Sequence, residues 1–369
     1  MERTILITGG AGFIGSHLTN TLLELSDLDK TKIIVVDILD YCSNIENLNQ
    51  NFNSPNFWFY KLDIRDKQAL LDIFKNHKVD TVIHLAAKSH VDESITNPED
   101  FISNNINGAI SLITTINNYL NELSEYERTR FKFINVSTDE VFGDREHKLP
   151  ATEETAYNPS SPYSSSKAST DLIFHAFGHT YNIPYVTLYL CNNYGAYQYP
   201  EKLIPVTILQ LLQGKKVKLY GDGLQVRNWM YVKDTVQLVI KIMNSWHGIT
   251  SQRYVVAGQA LTNKEVFQTI ATKLEEIYPV LDNKYINGNI KSYLDLIEFS
   301  ADRLGHDRKY EVNDFLLQTS EIALPENNFD LHIKDTISWY LENFSIEIKK
   351  LKTYDYQDFK QDKRRIKIK

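Results

Sequence analysis

A glycine-spaced loop near the start of the chain constrains its fold more than any other feature. Thr8-Gly9-Gly10-Ala11-Gly12-Phe13-Ile14-Gly15 follows the apolar run Thr4–Thr8 (TILIT) and leads into a helical period over Gly12–Leu25. Gly9, Gly12 and Gly15 stand three apart. A chain passing this tightly from a buried strand into a helix uses glycine for the turn, for close approach of backbone to a bound group, and for close packing of helix on strand. The helix start then offers unbonded N–H groups and the positive end of its dipole, which suits a pyrophosphate.

The rest of the first half fits the same unit. Lys32–Asp37, Trp58–Lys61, Thr81–Leu85, Lys132–Ser137 and Tyr185–Leu190 read as strands, and Asp66–His77, Phe101–Glu122 and Tyr163–Tyr181 as helices. Strands alternating with helices imply an α/β fold with a parallel, doubly wound sheet, and their continuous apolar runs suit strands covered on both faces. After Leu190 the rhythm breaks into turn-rich stretches such as Asn192-Asn193-Tyr194-Gly195 and Gly221-Asp222-Gly223. The expectation is a nucleotide-binding domain over 1–190 to which about 224–255 returns. A smaller α/β substrate lobe takes 191–223 and 256–344, and 345–369 is a tail with nine Lys or Arg against four Asp or Glu.

Composition narrows the function classes. A 369-residue chain that is 42% hydrophobic and 24% charged has the ordinary composition of a globular enzyme and is too apolar for a disordered chain. Its net charge of -7 disfavours nucleic acid as a partner. No apolar run approaches the roughly 20 residues of a membrane helix. The N-terminus runs into a strand without signal-peptide architecture, and two cysteines, Cys42 and Cys191, cannot form a disulfide framework or a thiolate zinc site. These features point to a cytoplasmic protein with no metal.

Two further positions sharpen the chemistry. Asp37 ends the second strand 22 positions after Gly15. A carboxylate there accepts ribose hydroxyls and repels a 2′-phosphate, so NAD is expected rather than NADP; the next residue, Ile38, offers no arginine clamp. Asp63 and Ile64 follow the third strand, where they would flank the adenine. The strand Lys132–Ser137 runs into Thr138-Asp139-Glu140, and Tyr163-Ser164-Ser165-Ser166-Lys167 follows. Tyr and Lys four apart on a helix share a face, so the Lys167 ammonium is expected to lower the Tyr163 pKa and make it a base for an alcohol.

The motifs His84-Leu85-Ala86-Ala87, Ser89-His90-Val91-Asp92, Ser137 to Gly143, Ser161-Pro162-Tyr163, Asn192 to Gly195, Gln198 to Pro205, Gly221 to Trp229 and Asp302 to Arg308 carry a resemblance. The chain resembles the nucleotide-diphosphate-glucose 4,6-dehydratases of the extended short-chain dehydrogenase family from Thr4 to about Phe344. The resemblance implies a Rossmann-type domain and tightly bound NAD on Gly9, Gly12, Phe13, Ile14, Gly15, Asp37, Asp63, Ile64, Ala86, Tyr163 and Lys167. Thr138, Asp139, Glu140, Tyr163 and Lys167 would be catalytic. Ser89, Thr138, Asn193, Glu201, Lys202, Arg227, Asn263, Arg303 and His306 would bind substrate.

The implied substrate is dTDP-glucose, with UDP-glucose as the alternative, then a 4-epimerase or decarboxylase on the same scaffold. A homodimer through the Phe101–Glu122 and Tyr163–Tyr181 helices is also implied. The sequence departs from the family pattern at Lys88, where Glu or Gln is common, at Ile38, where Lys is frequent, and at Phe142 in place of Tyr.

Overall fold

In the computed structural model, residues 3–25, 31–246, 251–286, 288–302, 305–320, 322 and 324–352 are described. Among them twelve strands follow in chain order: β1 (Arg3–Thr8), β2 (Thr31–Asp37), β3 (Phe57–Lys61), β4 (Thr81–His84), β5 (Lys132–Thr138), β6 (Tyr185–Leu190), β7 (Asn192–Tyr194), β8 (Val217–Tyr220), β9 (Val226–Tyr231), β10 (Ser251–Val256), β11 (Gln259–Thr262) and β12 (Ile297–Ser300).

Seven strands form one sheet in the order β3-β2-β1-β4-β5-β6-β10, and every neighbouring pair is parallel. Successive side chains of a strand face opposite sides. Ile5, Ile7, Ile33, Val35 and Ile83 therefore join one buried cluster, while Leu6, Ile34, Val36, Val82 and Phe133 join another. With both faces covered, the strands read as unbroken apolar runs. Strand order reverses direction between β1 and β4, and in a doubly wound sheet the ligand cleft opens there, beyond the carboxyl ends of the strands. The glycine loop leaves β1 at this point.

The chain divides into two units. Among the described residues, the first takes its members from 1–197, 225–261 and 303–329, and the second from 198–224, 262–302 and 330–352. This differs from the sequence expectation in three segments, the shortest of which, 256–261, stays with the first unit. Residues 191–197 belong to the first unit because β7 pairs with β9, Asn193 opposite Met230. Residues 303–329 also return there: Val226 N–H donates to the Arg308 carbonyl (2.9 Å) and Asn313 N–H to the Ala151 carbonyl (2.8 Å).

In the second unit β8 pairs in parallel with β12, and the Leu203–Leu212 helix packs on the Asn263–Ile277 helix. The expected tail is a helix over Phe344–Lys352, with Glu347 buried and paired to Lys350 at 2.6 Å. The basic remainder, 353–369, lies outside the described residues.

The helix expected over Phe101–Glu122 is present with an irregularity. A π-helical stretch, Ile102–Asn107, precedes the regular Gly108–Glu122 helix. Widened turns of this kind re-aim a side chain and are frequent near functional sites. The buried residue of this stretch is Asn105. The Pro162–Tyr181 helix starts with Ser161 and Ser164 in reciprocal capping bonds and Pro162 in its first turn, which fixes where Tyr163 emerges.

Candidate active site

Two of the three spaced glycines are demanded by the loop itself. Gly9 has φ +72°, and a Cβ there would sit 2.7 Å from the Ala86 nitrogen. A Cβ on Gly15 would overlap the Gly9 carbonyl oxygen. Gly12 is different: its Cβ would meet only the Gly9 carbonyl oxygen at 3.3 Å. The protein leaves that face of Gly12 open, which fits a group approaching the loop from outside, as a pyrophosphate does. Phe13 and Ile14 are half-buried at the helix start. Ala86 N–H points to Thr8 Oγ1 at 3.4 Å.

Asp37 is almost fully buried at the end of β2. Its Oδ2 accepts from Ala11 N–H (3.0 Å), and its Oδ1 accepts from Leu39 N–H (2.8 Å) and Ser43 Oγ (3.0 Å). Burial pushes its pKa up while these bonds oppose the rise. The carboxylate thus joins the glycine loop to the segment after β2. Asp63 is bound by Arg65, whose Nε donates to both carboxylate oxygens at 3.0 and 2.9 Å, and Ile64 packs where Gly108 leaves space.

Lys88 contacts the segment after β2 as well. Its ammonium pairs with Asp100 (2.6 Å) and Asp40 (3.2 Å), so this departure from the family pattern is an ion-paired residue.

The strand end of β5 assembles the catalytic candidates. Thr138 caps the turn Asp139–Phe142: its Oγ1 accepts from Glu140 N–H (3.3 Å) and donates to Asp139 Oδ1 (3.4 Å). Asp139 is 2% exposed, and its Oδ2 has no hydrogen-bond partner among the described residues. Burial and the Glu140 charge push Asp139 up to about 7, against the pull of the Arg227 guanidinium. A carboxyl that holds its proton near neutrality can act as an acid.

The phenol of Tyr163 lies near the Thr138 hydroxyl, which acts to lower its pKa, so helix and strand meet at this point. The expectation that Lys167 lowers the Tyr163 pKa is not met. Burial and the charges of Glu140 and Asp139 push the phenol up, and the Lys167 ammonium donates to the Val136 carbonyl at 2.9 Å. Lys167 is itself buried, which lowers its pKa, with Asp171 opposing.

The remaining substrate candidates fall in both units. In the first, Arg227 is buried; it donates to the Val226 and Asp307 carbonyls (2.8 Å each) and lies over the Tyr310 ring at 4.2 Å. Asn193 donates to the Cys191 carbonyl (2.9 Å) and accepts from Thr235 Oγ1 (2.5 Å), tying β7 to the helix after β9. Ser89 and His306 are half-buried. In the second unit Lys202 stands 3.9 Å from the buried Glu201 carboxylate, and Asn263 opens a helix capped by Thr262. Arg303 lies outside the described residues.

Three residues of this site escaped sequence reasoning. Asn105 binds the Lys88 backbone on both sides, accepting from its N–H (2.8 Å) and donating to its carbonyl (3.1 Å), and donates to Ser166 Oγ (2.8 Å). It thereby fixes the loop carrying Ser89 against the Tyr163 helix. Asp307 accepts from Ser160 Oγ and from Tyr310 Oη (2.6 Å). Asp171 lies one turn beyond Lys167, fully buried in an amphipathic pattern; that spacing was the one available signal.

The GDP-mannose 4,6 dehydratase family matches residues 6–317. The chain is 39% identical over 343 residues to a dTDP-glucose 4,6-dehydratase of Haemophilus influenzae, covering 92% of this chain and 98% of that one. Among solved structures it resembles a dTDP-glucose 4,6-dehydratase of Bacillus anthracis in complex with NAD, with TM-score 0.80, 34% identity, and coverage of 94% and 99%. It also resembles a UDP-glucose 4-epimerase of Thermotoga maritima with UDP-glucose, with TM-score 0.76, 27% identity, and coverage of 92% and 99%. The glycine loop at the switch point, the buried acid beside a second carboxylate, and the match over most of its length place the chain in the GDP-mannose 4,6 dehydratase family.

Proposed function

We propose that the protein is an NAD-dependent hydro-lyase that converts dTDP-glucose to its 4-keto-6-deoxy sugar. The observation that carries this reading is Asp139, a buried carboxyl held near pKa 7 beside Glu140. An epimerase or decarboxylase on the same scaffold has no use for such an acid. The relatives named above support dTDP-glucose as substrate and NAD as cofactor. Gly9, Gly12 and Gly15 would hold the pyrophosphate, and Asp37 and Lys167 the riboses.

NAD held on Gly9, Gly12, Gly15, Asp37 and Lys167 would supply the hydride acceptor for oxidation at C4 and the hydride donor for C6. Tyr163 takes the O4 proton as the phenolate, so its own proton must leave before the step. The charges of Glu140 and Asp139 oppose that loss, and Lys167, one turn along the helix, is the nearby cation that would favour it on the substrate-bound enzyme. The C4 ketone then makes the C5 proton acidic. Glu140 removes that proton, and Asp139 gives its own to the departing C6 hydroxyl. Glu140 returns a proton to C5. Over one turnover Tyr163 gains a proton and Asp139 loses one. Thr138, bonded to Asp139 and near the Tyr163 phenol, stands between them. Arg227, buried and fork-shaped, suits the substrate pyrophosphate.

The purified protein, run with dTDP-glucose in deuterated water, should place deuterium at C5 and none at C6. Solvent deuterium at C6 overturns the scheme. A kcat/KM for UDP-glucose about tenfold above that for dTDP-glucose reverses the nucleotide assignment. A homodimer is supported by exposed apolar side chains on the two helices named for it, Ile102 (48%), Ile110 (36%) and Leu172 (57%). Light scattering at micromolar concentration checks it. The free thiols of Cys42 and Cys191 support a reducing, cytoplasmic setting. No described helix is long and apolar enough to cross a membrane.

A further inference from the structure

The strand bearing the acid and the helix bearing the base are joined by one buried side chain. Asp171, on the Pro162–Tyr181 helix, accepts from Asn135 Nδ2 (2.8 Å) through Oδ1 and from Ser137 Oγ (2.5 Å) through Oδ2. Asn135 and Ser137 share one face of β5, whose last residue is Thr138. Lys167 reaches the same strand between them, at the Val136 carbonyl. Three bonds thus set the register of helix on strand, and two of them end on Asp171. Asp171 also lies one helical turn from Lys167, so a buried carboxylate and a buried ammonium share one helix face, near enough for the charge of one to act on the other.

We propose that Asp171 is the positioning residue of this active site, setting the register of the Tyr163 helix on β5 and keeping Lys167 in its cationic form. The inference rests on the dehydratase reading above and names a residue through which the reacting groups are held. Burial of an unpaired ammonium favours loss of its proton, and a nearby carboxylate reverses that preference. Lys167 is also faced by Tyr163 on its own helix and by His84 from β4, an imidazole that burial keeps neutral with a pKa of about 3. Asp171 is also faced by Arg253 from β10 and by the phenols of Tyr157 and Tyr189, with His175 a further turn along the helix. Burial pushes Asp171 itself up to about 6, so it carries its charge above that pH.

The test isolates C4 oxidation from dehydration, because Asp139 also titrates near neutrality. The NAD-loaded full chain is given dTDP-6-deoxyglucose, which has no C6 hydroxyl to expel, and NADH formation is followed against pH. Asp171→Asn removes the charge and keeps the shape; Asn135 Oδ1, which has no hydrogen-bond partner among the described residues, can turn to accept from the new amide. Its alkaline limb should move down by about 1–3 pH units, the usual effect of losing one nearby opposite charge. Asp171→Ser is a second neutral variant with the same expectation.

Ser137→Ala keeps the charge and removes one register bond. It should slow C4 oxidation about 5-fold with the limb unmoved, as small misplacements do. An unmoved limb in both neutral variants overturns the charge role, and a native rate in Ser137→Ala overturns the register role. If the native enzyme itself forms neither NADH here nor product from dTDP-glucose, the dehydratase reading fails instead.

Discussion

The glycine loop and the end of β5 sit in the same unit but do their work by different means. The loop acts through backbone: its shape is set by where a Cβ cannot go, as at Gly9 and Gly15, and its polarity comes from a helix start. No ionisable group of the loop has to hold a particular protonation state. The strand end acts through charge. Thr138, Asp139 and Glu140 adopt an ordinary capped turn, and what distinguishes them is that Asp139 is buried beside a second carboxylate. One region should therefore be broken by adding a single carbon atom, and the other by changing a charge without changing a shape.

The largest separation is expected from Asp139→Asn. It should leave NAD binding and C4 oxidation in place, while the full reaction slows by about 10²–10⁴-fold, the usual worth of a general acid. NADH should then accumulate, and its absorbance reports it. Gly15→Ala should do the opposite. NAD affinity measured by titration should fall about 100-fold, roughly 2.7 kcal/mol, while the pH dependence of the enzyme saturated with NAD stays that of the native protein.

The pH dependence itself comes next. With Asp139 near 7, kcat should fall about tenfold per unit well above that pH. The same group makes stability pH-dependent. Between the ordinary 3.8 and about 7 the folded protein holds a proton that the unfolded chain has released, so stability declines as pH rises through that window. Asp139→Asn should consequently melt higher than the native protein at pH 8, and nearly equally at pH 4. The smallest effect belongs to Asp37, the carboxylate bonded to the loop at Ala11. Asp37→Ala should narrow the preference for NAD over NADP by about tenfold, read from the two kcat/KM values.

Much of this was legible from residue order. TILIT followed by spaced glycines admits few folds other than a β-α-β unit, because the steric needs of the loop are local. The succession of strands and helices along the chain and the pairing of Tyr163 with Lys167 across one turn follow from periodicities of the chain. The capped start of the Tyr163 helix is visible too, in Ser161-Pro162. Long-range returns were not: β7 and the 303–329 segment join the first unit through bonds to residues up to about 160 positions away, such as Asn313 to Ala151.

Protonation states divide along the same line. Sequence spacing by itself determined that Tyr163 and Lys167 share a face and that Asp139 and Glu140 are neighbours. It could not determine that Asp139 is buried to 2% exposure, that the Lys167 ammonium turns to Val136 rather than lowering the Tyr163 phenol, or that Asp171 joins helix to strand through Asn135 and Ser137. Spacing is a local property of the backbone. A pKa depends on what surrounds the group on every side, and the residues that supply those surroundings come together only when the sheet, its helices and the returning segments have packed.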